Sequence, residues 1–402
     1  MAKSKKKKTK DRYAFDRGLI RFIYHAILPW LSKKWGVVKT KTLTLPEGPC
    51  VVLYNHTMDL DVVWAQYMFK TQMYCVASEH IVRKSLGGKL VKLLFAPILM
   101  KKGTNGSSVV MEMHRHLKKG HHILLSPEGV RSGNGLTAEN VPSTAAVLRK
   151  LKCNVVVIRS HGGYFTSPRW ADSRRKGLVT IEKVAEYTPA QIAAMSVEEF
   201  DAKIAKDIYE DAYAYNGEKK IVFRGKNLAQ SLELQLGICP VCHQFGTIHS
   251  KKNDFACSCG MKGSIDEYGM LSGEKLPFKT VTEWDHWIDE YIRENLPKWK
   301  ESGEVICKNS GQELIEILAD HKDITKDTGD LSLTAKAIRV GETLIALDTV
   351  SELSFYSYGI LLINTTDRHY YEINGAKYPG IIYYKIIKQL SGRPEKHQTR
   401  ED

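Results

Sequence analysis

Cys50-Val51-Val52-Leu53-Tyr54 runs directly into Asn55-His56-Thr57-Met58-Asp59-Leu60-Asp61, joining a continuous apolar stretch to a polar turn that ends in a carboxylate. An apolar run without polar alternation predicts a strand buried on both faces, as in a parallel sheet covered by helices. Further along, Ile123-Leu124-Leu125 leads in the same way into Ser126-Pro127-Glu128-Gly129-Val130-Arg131-Ser132. One turn offers a base and the other a guanidinium. Together they point to activation of a hydroxyl and to the holding of an anionic substrate.

Working outward, short β-branched runs alternate with helical stretches between residues 36 and 185. Strands are expected at Val51–Tyr54, Met73–Ala77, Ile98–Met100, Ile123–Leu125, Val155–Ile158 and Val179–Ile181, with helices over 60–70, 86–95, 107–119 and 140–151. This alternation is the mark of an α/β fold, a sheet flanked by helices. A helix over 196–215 is announced by Ser196 with Glu199 in capping-box spacing. Beyond residue 230 the character changes. A cysteine-rich segment over 239–260 precedes a Trp-bearing helix over 280–299 that starts near Thr282. Strands then follow at Glu304–Lys308, Leu331–Thr334, Ala337–Val340, Thr343–Ala346, Glu352–Tyr356, Ile360–Asn364 and His369–Ile373, before a helix from Gly380 to Leu390. Short strands closed by a terminal helix predict a small curved sheet plugged by that helix. No fixed-period repeat is present.

Histidine suits general-base work near neutral pH, and a carboxylate on the far side of the imidazole fixes its tautomer and stabilises the imidazolium. On a straight helix the step from 56 to 61 rotates the side chain by about 500°. His56 and Asp61 therefore meet only if the chain turns from a strand end into a helix between them. Asp59, closer in sequence, is a rival partner.

Asn55-His56 with Asp61 resembles the Asn-His-x-x-x-x-Asp block of the glycerolipid acyltransferases, in particular the 1-acylglycerol-3-phosphate acyltransferase family. Pro127-Glu128-Gly129-Val130-Arg131-Ser132 resembles that family's Pro-Glu-Gly-Thr-Arg-Ser block, and Ile98-Leu99-Met100-Lys101-Lys102 stands where the family has an apolar strand ending in a basic residue. The resemblance covers residues 15–215 and implies a glycerolipid acyltransferase-like fold. It also implies His56 as general base and Asp61 as its orienting carboxylate. Asn55, Glu128 and Gly129 would shape the substrate site, Arg131 would bind a phosphate, and Lys101 or Lys102 would assist. The implied reaction moves a fatty acyl group from an acyl thioester, acyl-CoA or acyl-carrier protein, to the hydroxyl of a lysophospholipid, 1-acylglycerol-3-phosphate giving phosphatidate. No Ser nucleophile in a Gly-x-Ser-x-Gly setting competes with direct attack. Met58, Ser126 and Val130 depart from the family pattern, and Arg159-Ser160-His161-Gly162-Gly163-Tyr164 replaces its fourth block. These departures put the acceptor, more than the chemistry, in question.

Cys239-Pro240-Val241-Cys242 and Cys257-Ser258-Cys259-Gly260 supply four thiols in two tight knuckles, the ligand pattern of a structural Zn²⁺ site. The segment resembles a zinc ribbon, and His243 is a competing ligand that would strain the first knuckle. Cys50, Cys75, Cys153 and Cys307 lie among apolar residues and read as inert core thiols. The strands after residue 300 have the order of a pleckstrin-homology-like module.

The formal net charge of +14, in a chain 43% apolar and 26% charged, favours an anionic partner and argues against global disorder. Lys3, Lys5, Lys6, Lys7, Lys8 and Lys10 form a polybasic arm before a helix expected over Tyr13–Trp35, whose apolar face carries Trp30 and Leu31. That helix is too charged to span a bilayer, and no cleavable signal is expected. It fits an interfacial anchor on anionic lipid. The expected location is peripheral, on the cytoplasmic side of the cell membrane. No basic–aromatic strip accompanies the ribbon, so nucleic acid is not expected as a partner. The alternative is a non-enzymatic lipid- or nucleic-acid-binding adaptor on a vestigial acyltransferase fold, against which the intact His56/Asp61 pair counts. The expected organisation is an arm and interfacial helix (1–35), an acyltransferase domain (36–228), a zinc ribbon (235–265), a connecting helix (266–300) and a strand-rich module (301–392).

Overall fold

The computed structural model describes residues 18, 21–36, 43–78, 97–100, 106–318, 323–356 and 359–392. Contacts gather the chain into two compact units that do not follow its linear order. The first comprises residues 1–129, 140–161 and 178–209, and the second 130–139, 162–177 and 210–402.

The first unit is built on a six-stranded sheet of β1 (Cys50–Tyr54), β2 (Met73–Ser78), β3 (Ile98–Met100), β4 (His122–Leu125), β5 (Asn154–His161) and β6 (Thr180–Tyr187), in the order β3-β2-β4-β1-β5-β6. All neighbours are parallel except β5 and β6. The opening run forms the inner strand β1, buried along its whole length. Its alternate side chains serve two cores: Cys50, Val52 and Tyr54 pack with Trp64 and Met68, while Val51 and Leu53 pack with Met113, Leu148 and Phe200. Each such Val or Leu contributes about 1.5–3 kcal/mol by leaving water, which is why the run carries no polar residue. The helices of this unit are α1 (Leu28–Trp35), α2 (Asp61–Phe69), α3 (Ser107–Lys118), α4 (Thr144–Leu151), α5 (Pro189–Ala194) and α6 (Val197–Ile208).

Several expectations are corrected. The helix expected over 196–215 is two, because Tyr209 is extended and Asp211 caps a new helix, α7 (Ala212–Lys219), by accepting from Ala214 N–H at 2.9 Å. The capping box itself is present, with Ser196 and Glu199 bonding reciprocally at 3.0 and 2.7 Å. The first helix is not regular either. Ile23–Ile27 is a π-turn in which Leu28 N–H reaches Ile23 O, and Pro29, lacking an N–H, sits at the start of α1, where none is needed. The expected helix over 86–95 and the polybasic arm lie outside the described residues.

The second unit holds a four-stranded ribbon, β7 (Ile248–Lys251), β8 (Asp254–Cys257), β9 (Lys262–Ile265) and β10 (Leu271–Ser272), followed by α8 (Val281–Ser302). Helix α8 begins at Val281, close to the expected start near Thr282, and is capped by Thr280 in a capping box with Glu283. A seven-stranded antiparallel sheet follows: β11 (Cys307–Ile317), β12 (Asp323–Leu333), β13 (Ala337–Val340), β14 (Thr343–Ala346), β15 (Val350–Tyr356), β16 (Ile360–Thr365) and β17 (Tyr370–Gly375), in the order β14-β13-β12-β11-β17-β16-β15, with α9 (Gly380–Leu390) closing the chain. Strands β11 and β12 are far longer than expected. One core runs from Cys239 and Phe255 of the ribbon through Trp284 and Ile288 of α8 to Leu314, Leu361 and Tyr383. Lys385 of α9 is held by Asp285 and Asp289 of α8 at 2.9 and 2.7 Å. Among the described residues no helix is long and apolar enough to cross a membrane.

Candidate active site

At the end of β1 the chain leaves the sheet, turns through Thr57–Leu60 and enters α2 at Asp61. One oxygen of Asp61 organises that turn. Oδ2 accepts from Thr57 N–H at 2.8 Å, Met58 N–H at 2.9 Å and His56 Nδ1 at 2.9 Å. The carboxylate is 3% exposed, and at the first turn of a helix it also meets the positive end of the dipole. An ionised carboxylate can only accept, so the His56 proton sits on Nδ1 and Nε2 is the basic atom. The strand-to-helix turn required for His56 and Asp61 to meet is therefore present. Asp61, not Asp59, takes the imidazole, whose side chain is 28% exposed.

The neighbouring strands hold the end of β1 from both sides. Glu128, buried after β4, accepts His56 N–H at 2.6 Å. Asn55, fully buried, accepts Ser160 N–H at 2.7 Å and donates to Ser160 O at 2.9 Å, tying the end of β1 to β5. Both were expected around the substrate. Here Glu128 holds the His56 backbone, and Asn55 joins the end of β1 to β5. Gly129 takes φ +67°, and a Cβ there would meet Val141 Cγ2 at 3.0 Å, so the turn after Glu128 favours glycine. Beside this cluster, burial first, then Asp61, Cys75 and Glu128, push the Tyr54 hydroxyl well above its ordinary range.

Arg131 belongs to the second unit, where its Nη1 donates to Ser167 Oγ at 3.4 Å. Lys101 and Lys102 lie outside the described residues. Arg159 and His161 on β5 both engage Glu182 on β6, at 2.8 and 3.2 Å, and so form a cross-strand ion cluster. Sequence reading missed Ser160 as the partner of Asn55, since nothing local announces which strand lies beside β1.

Cys239, Cys242, Cys257 and Cys259 converge, their sulfurs all within 4.8 Å of one another. Cys239 and Cys259 are 3.8 Å apart and Cys242 and Cys257 3.7 Å. A tetrahedron with bonds of about 2.3 Å to sulfur has edges of about 3.8 Å, so the thiols present fit a four-coordinate metal. His243 lies elsewhere, its ring 5.6 Å from Trp287 and 5.2 Å from Tyr291. Burial raises the other thiols, Cys50, Cys75 and Cys307 to about 12 and Cys153 to about 11, and leaves them protonated at neutral pH.

Among solved structures, the chain is similar to the 1-acyl-sn-glycerophosphate acyltransferase PlsC of Thermotoga maritima, at 19% identity and TM-score 0.42 over 52% of this chain and 83% of that one. It is also similar to the N-terminal PH domain of human ARAP2, at 12% identity and TM-score 0.18 over 24% of this chain and 89% of that one. A third likeness is to the C-terminal domain of an unknown protein from Leishmania infantum, at 10% identity and TM-score 0.16 over 26% and 98%. No curated protein matches the chain. The family model described as Acyltransferase matches residues 37–160, which include β1, the His56–Asp61 turn and Glu128. Over that stretch the chain is an acyltransferase domain of this family.

Proposed function

We propose that the protein transfers a fatty acyl group from an acyl thioester, acyl-CoA or acyl-carrier protein, to the hydroxyl of a lysophospholipid, with 1-acylglycerol-3-phosphate as acceptor and phosphatidate as product. The observation that carries this reading is the 2.9 Å bond from His56 Nδ1 to Asp61 within the β1–α2 turn. His56 Nε2 takes the proton of the acceptor hydroxyl as its oxygen attacks the thioester carbonyl. The carbon–sulfur bond then breaks, and the proton passes to the leaving thiolate, so no acyl-enzyme is needed. Asp61 stabilises the imidazolium formed in between. Arg131, three residues after Glu128, would hold the acceptor's phosphate, a task to which a guanidinium fork is suited.

The same reading places the protein at the cytoplasmic surface of an anionic membrane. Tyr24, Leu28 and Ser32 face the first unit's interior, while Phe22 at 61% and Trp30 at 62% exposure face outward with Arg21, Lys33 and Lys34. Apolar anchors flanked by cations suit an interfacial helix. The four cysteines would hold a structural Zn²⁺, and the seven-stranded sheet with α9 would act as a pleckstrin-homology-like module.

The test is a thioester-consumption screen over several lysolipids. His56→Ala should lose about 10²–10⁴-fold in turnover with folding intact, the usual contribution of a general base. Undiminished turnover in that variant removes the assignment.

A further inference from the structure

We propose that the second unit carries a buried binding site for a small monovalent inorganic anion such as chloride, held between the Arg175 guanidinium and the Trp170 indole N–H. The site is independent of the acyl-transfer reading. Both side chains belong to the second unit and both are buried, Arg175 at 5% and Trp170 at 3% exposure. They adjoin, with the guanidinium carbon of Arg175 5.3 Å from the centroid of the Trp170 ring. The Arg175 backbone N–H donates to Thr166 O at 2.8 Å and its Nη2 to Leu228 O at 2.5 Å, so the side chain is fixed at both ends. Arg175 Nε and Trp170 Nε1 are buried donors that close no hydrogen bond. Leaving such a donor unpaired costs the desolvation of the whole group, so two of them side by side point to an acceptor between them.

The uncompensated charge weighs more than the unpaired donors. Among the described residues Arg175 forms no ion pair. Burial works against its positive charge, and the groups that favour it are Tyr164 and Tyr213. Neither tyrosine is an anion at neutral pH, because burial carries the Tyr164 hydroxyl up to about 12 and the Tyr213 hydroxyl well above its ordinary range. A cation taken out of water is costly until a counter-charge joins it. One carbonyl oxygen and the face of an indole each return only a small part of that cost. Water between Nε and Nε1 would satisfy the two donors and leave the charge as it is. A monovalent anion does both, since it accepts from several N–H groups at once. The Trp170 N–H also acts on the Tyr164 hydroxyl without closing a bond to it, so binding an anion breaks no existing hydrogen bond of the indole. An arginine that served only to fasten Leu228 would need its Nη2 bond and neither the second donor nor the charge.

The experiment uses the full chain at neutral pH, with Arg175→Met and Trp170→Phe beside the wild type. Melting temperature is followed as sodium chloride replaces sodium gluconate at constant ionic strength, and crystals grown in bromide are read by anomalous scattering. A one-site anion raises the wild-type melting temperature in step with the logarithm of chloride once chloride exceeds its dissociation constant. Bromide then gives an anomalous peak beside Arg175 Nε and Trp170 Nε1. Arg175→Met keeps the bulk of the stem and removes charge and donors, so its melting ignores chloride and the peak is lost; an apolar replacement of a buried charge is well tolerated. Trp170→Phe keeps a ring and removes one charge-assisted bond, so half-saturation moves to about ten- to a hundredfold more chloride. That variant decides the matter if the methionine variant does not fold. Wild-type melting that ignores chloride, or a chloride dependence unchanged in both variants, overturns the proposal. Density beside Arg175 without an anomalous signal also overturns it, in favour of ordered water.

Discussion

Replacing Asp61 by asparagine tests the site more finely than deleting the histidine. The same atom, Oδ2, accepts from Thr57 N–H, Met58 N–H and His56 Nδ1. The other oxygen is only 3.5 Å from Thr57 Oγ1. Two backbone donors at 2.8 and 2.9 Å therefore demand an oxygen at the Oδ2 position and reject an NH₂ group. An asparagine satisfying them presents that same oxygen to the imidazole, so the Nδ1–H tautomer survives and only the negative charge is lost. A hydrogen bond to a charged group contributes about 1.5–3 kcal/mol and a neutral one about 0.5–1.5, a difference of roughly 1–2 kcal/mol, or about five- to thirtyfold in turnover. Were the amide to turn its NH₂ toward the ring, the opposite tautomer would form, and an Asp-to-Asn change of that kind costs a Ser-His-Asp triad about 10⁴-fold. Steady-state turnover of Asp61→Asn beside His56→Ala, with ¹⁵N shifts of the His56 ring, separates the two. A fall of Asp61→Asn to the level of His56→Ala, or a proton found on Nε2 in the wild type, refutes the reasoning. Asp61→Ala is the contrasting case: it strands two buried N–H groups at about 1–3 kcal/mol each and should lower the melting temperature, where the asparagine variant does not.

Two further outcomes follow from other parts of the fold. If the four cysteines hold Zn²⁺, a chelator should lower the melting temperature of the second unit and expose those thiols to a thiol reagent; metal-free protein whose melting ignores the chelator goes against a structural site. In the first unit, His116 packs 3.9 Å from the Tyr74 ring, with its Nδ1 3.0 Å from His121 Nδ1. Burial lowers its pKa from the ordinary 6.5; Glu112 opposes this, and Lys119 and Arg115 add to it. The folded value is below the unfolded one, so on acidification the unfolded chain takes the proton first. The stability this group contributes is complete above about pH 6.5 and is lost as pH falls through the folded value. Melting temperature should thus fall less between pH 7.5 and 5.5 in His116→Asn than in the wild type, and parallel curves would remove the claim.

What could be read from the sequence divides along the distance over which each contact acts. The His56–Asp61 pair closes within one turn, so its spacing carried the geometry once a strand was placed before it and a helix after it. The cysteine knuckles are local in the same sense, each a tight turn presenting its pair. The bonds that aim His56 are not local. Glu128 reaches it from β4, and Asn55 is fastened to Ser160 on β5, because the parallel sheet sets β1 between those strands. No property of either segment alone names its neighbour. Strand β12 failed for a different reason: its first part, Asp323-Ile324-Thr325-Lys326-Asp327-Thr328-Gly329-Asp330, is largely exposed and held by backbone pairing to β11 through register shifts, so it shows no apolar alternation. The bond from Arg169 Nη2 to the Phe355 carbonyl oxygen spans 186 positions and ends on an acceptor that any residue type would offer. A residue positioned by backbone atoms leaves no mark in the pattern of side chains. The blocks thus name the residues of this site, while the sheet decides which of them meet.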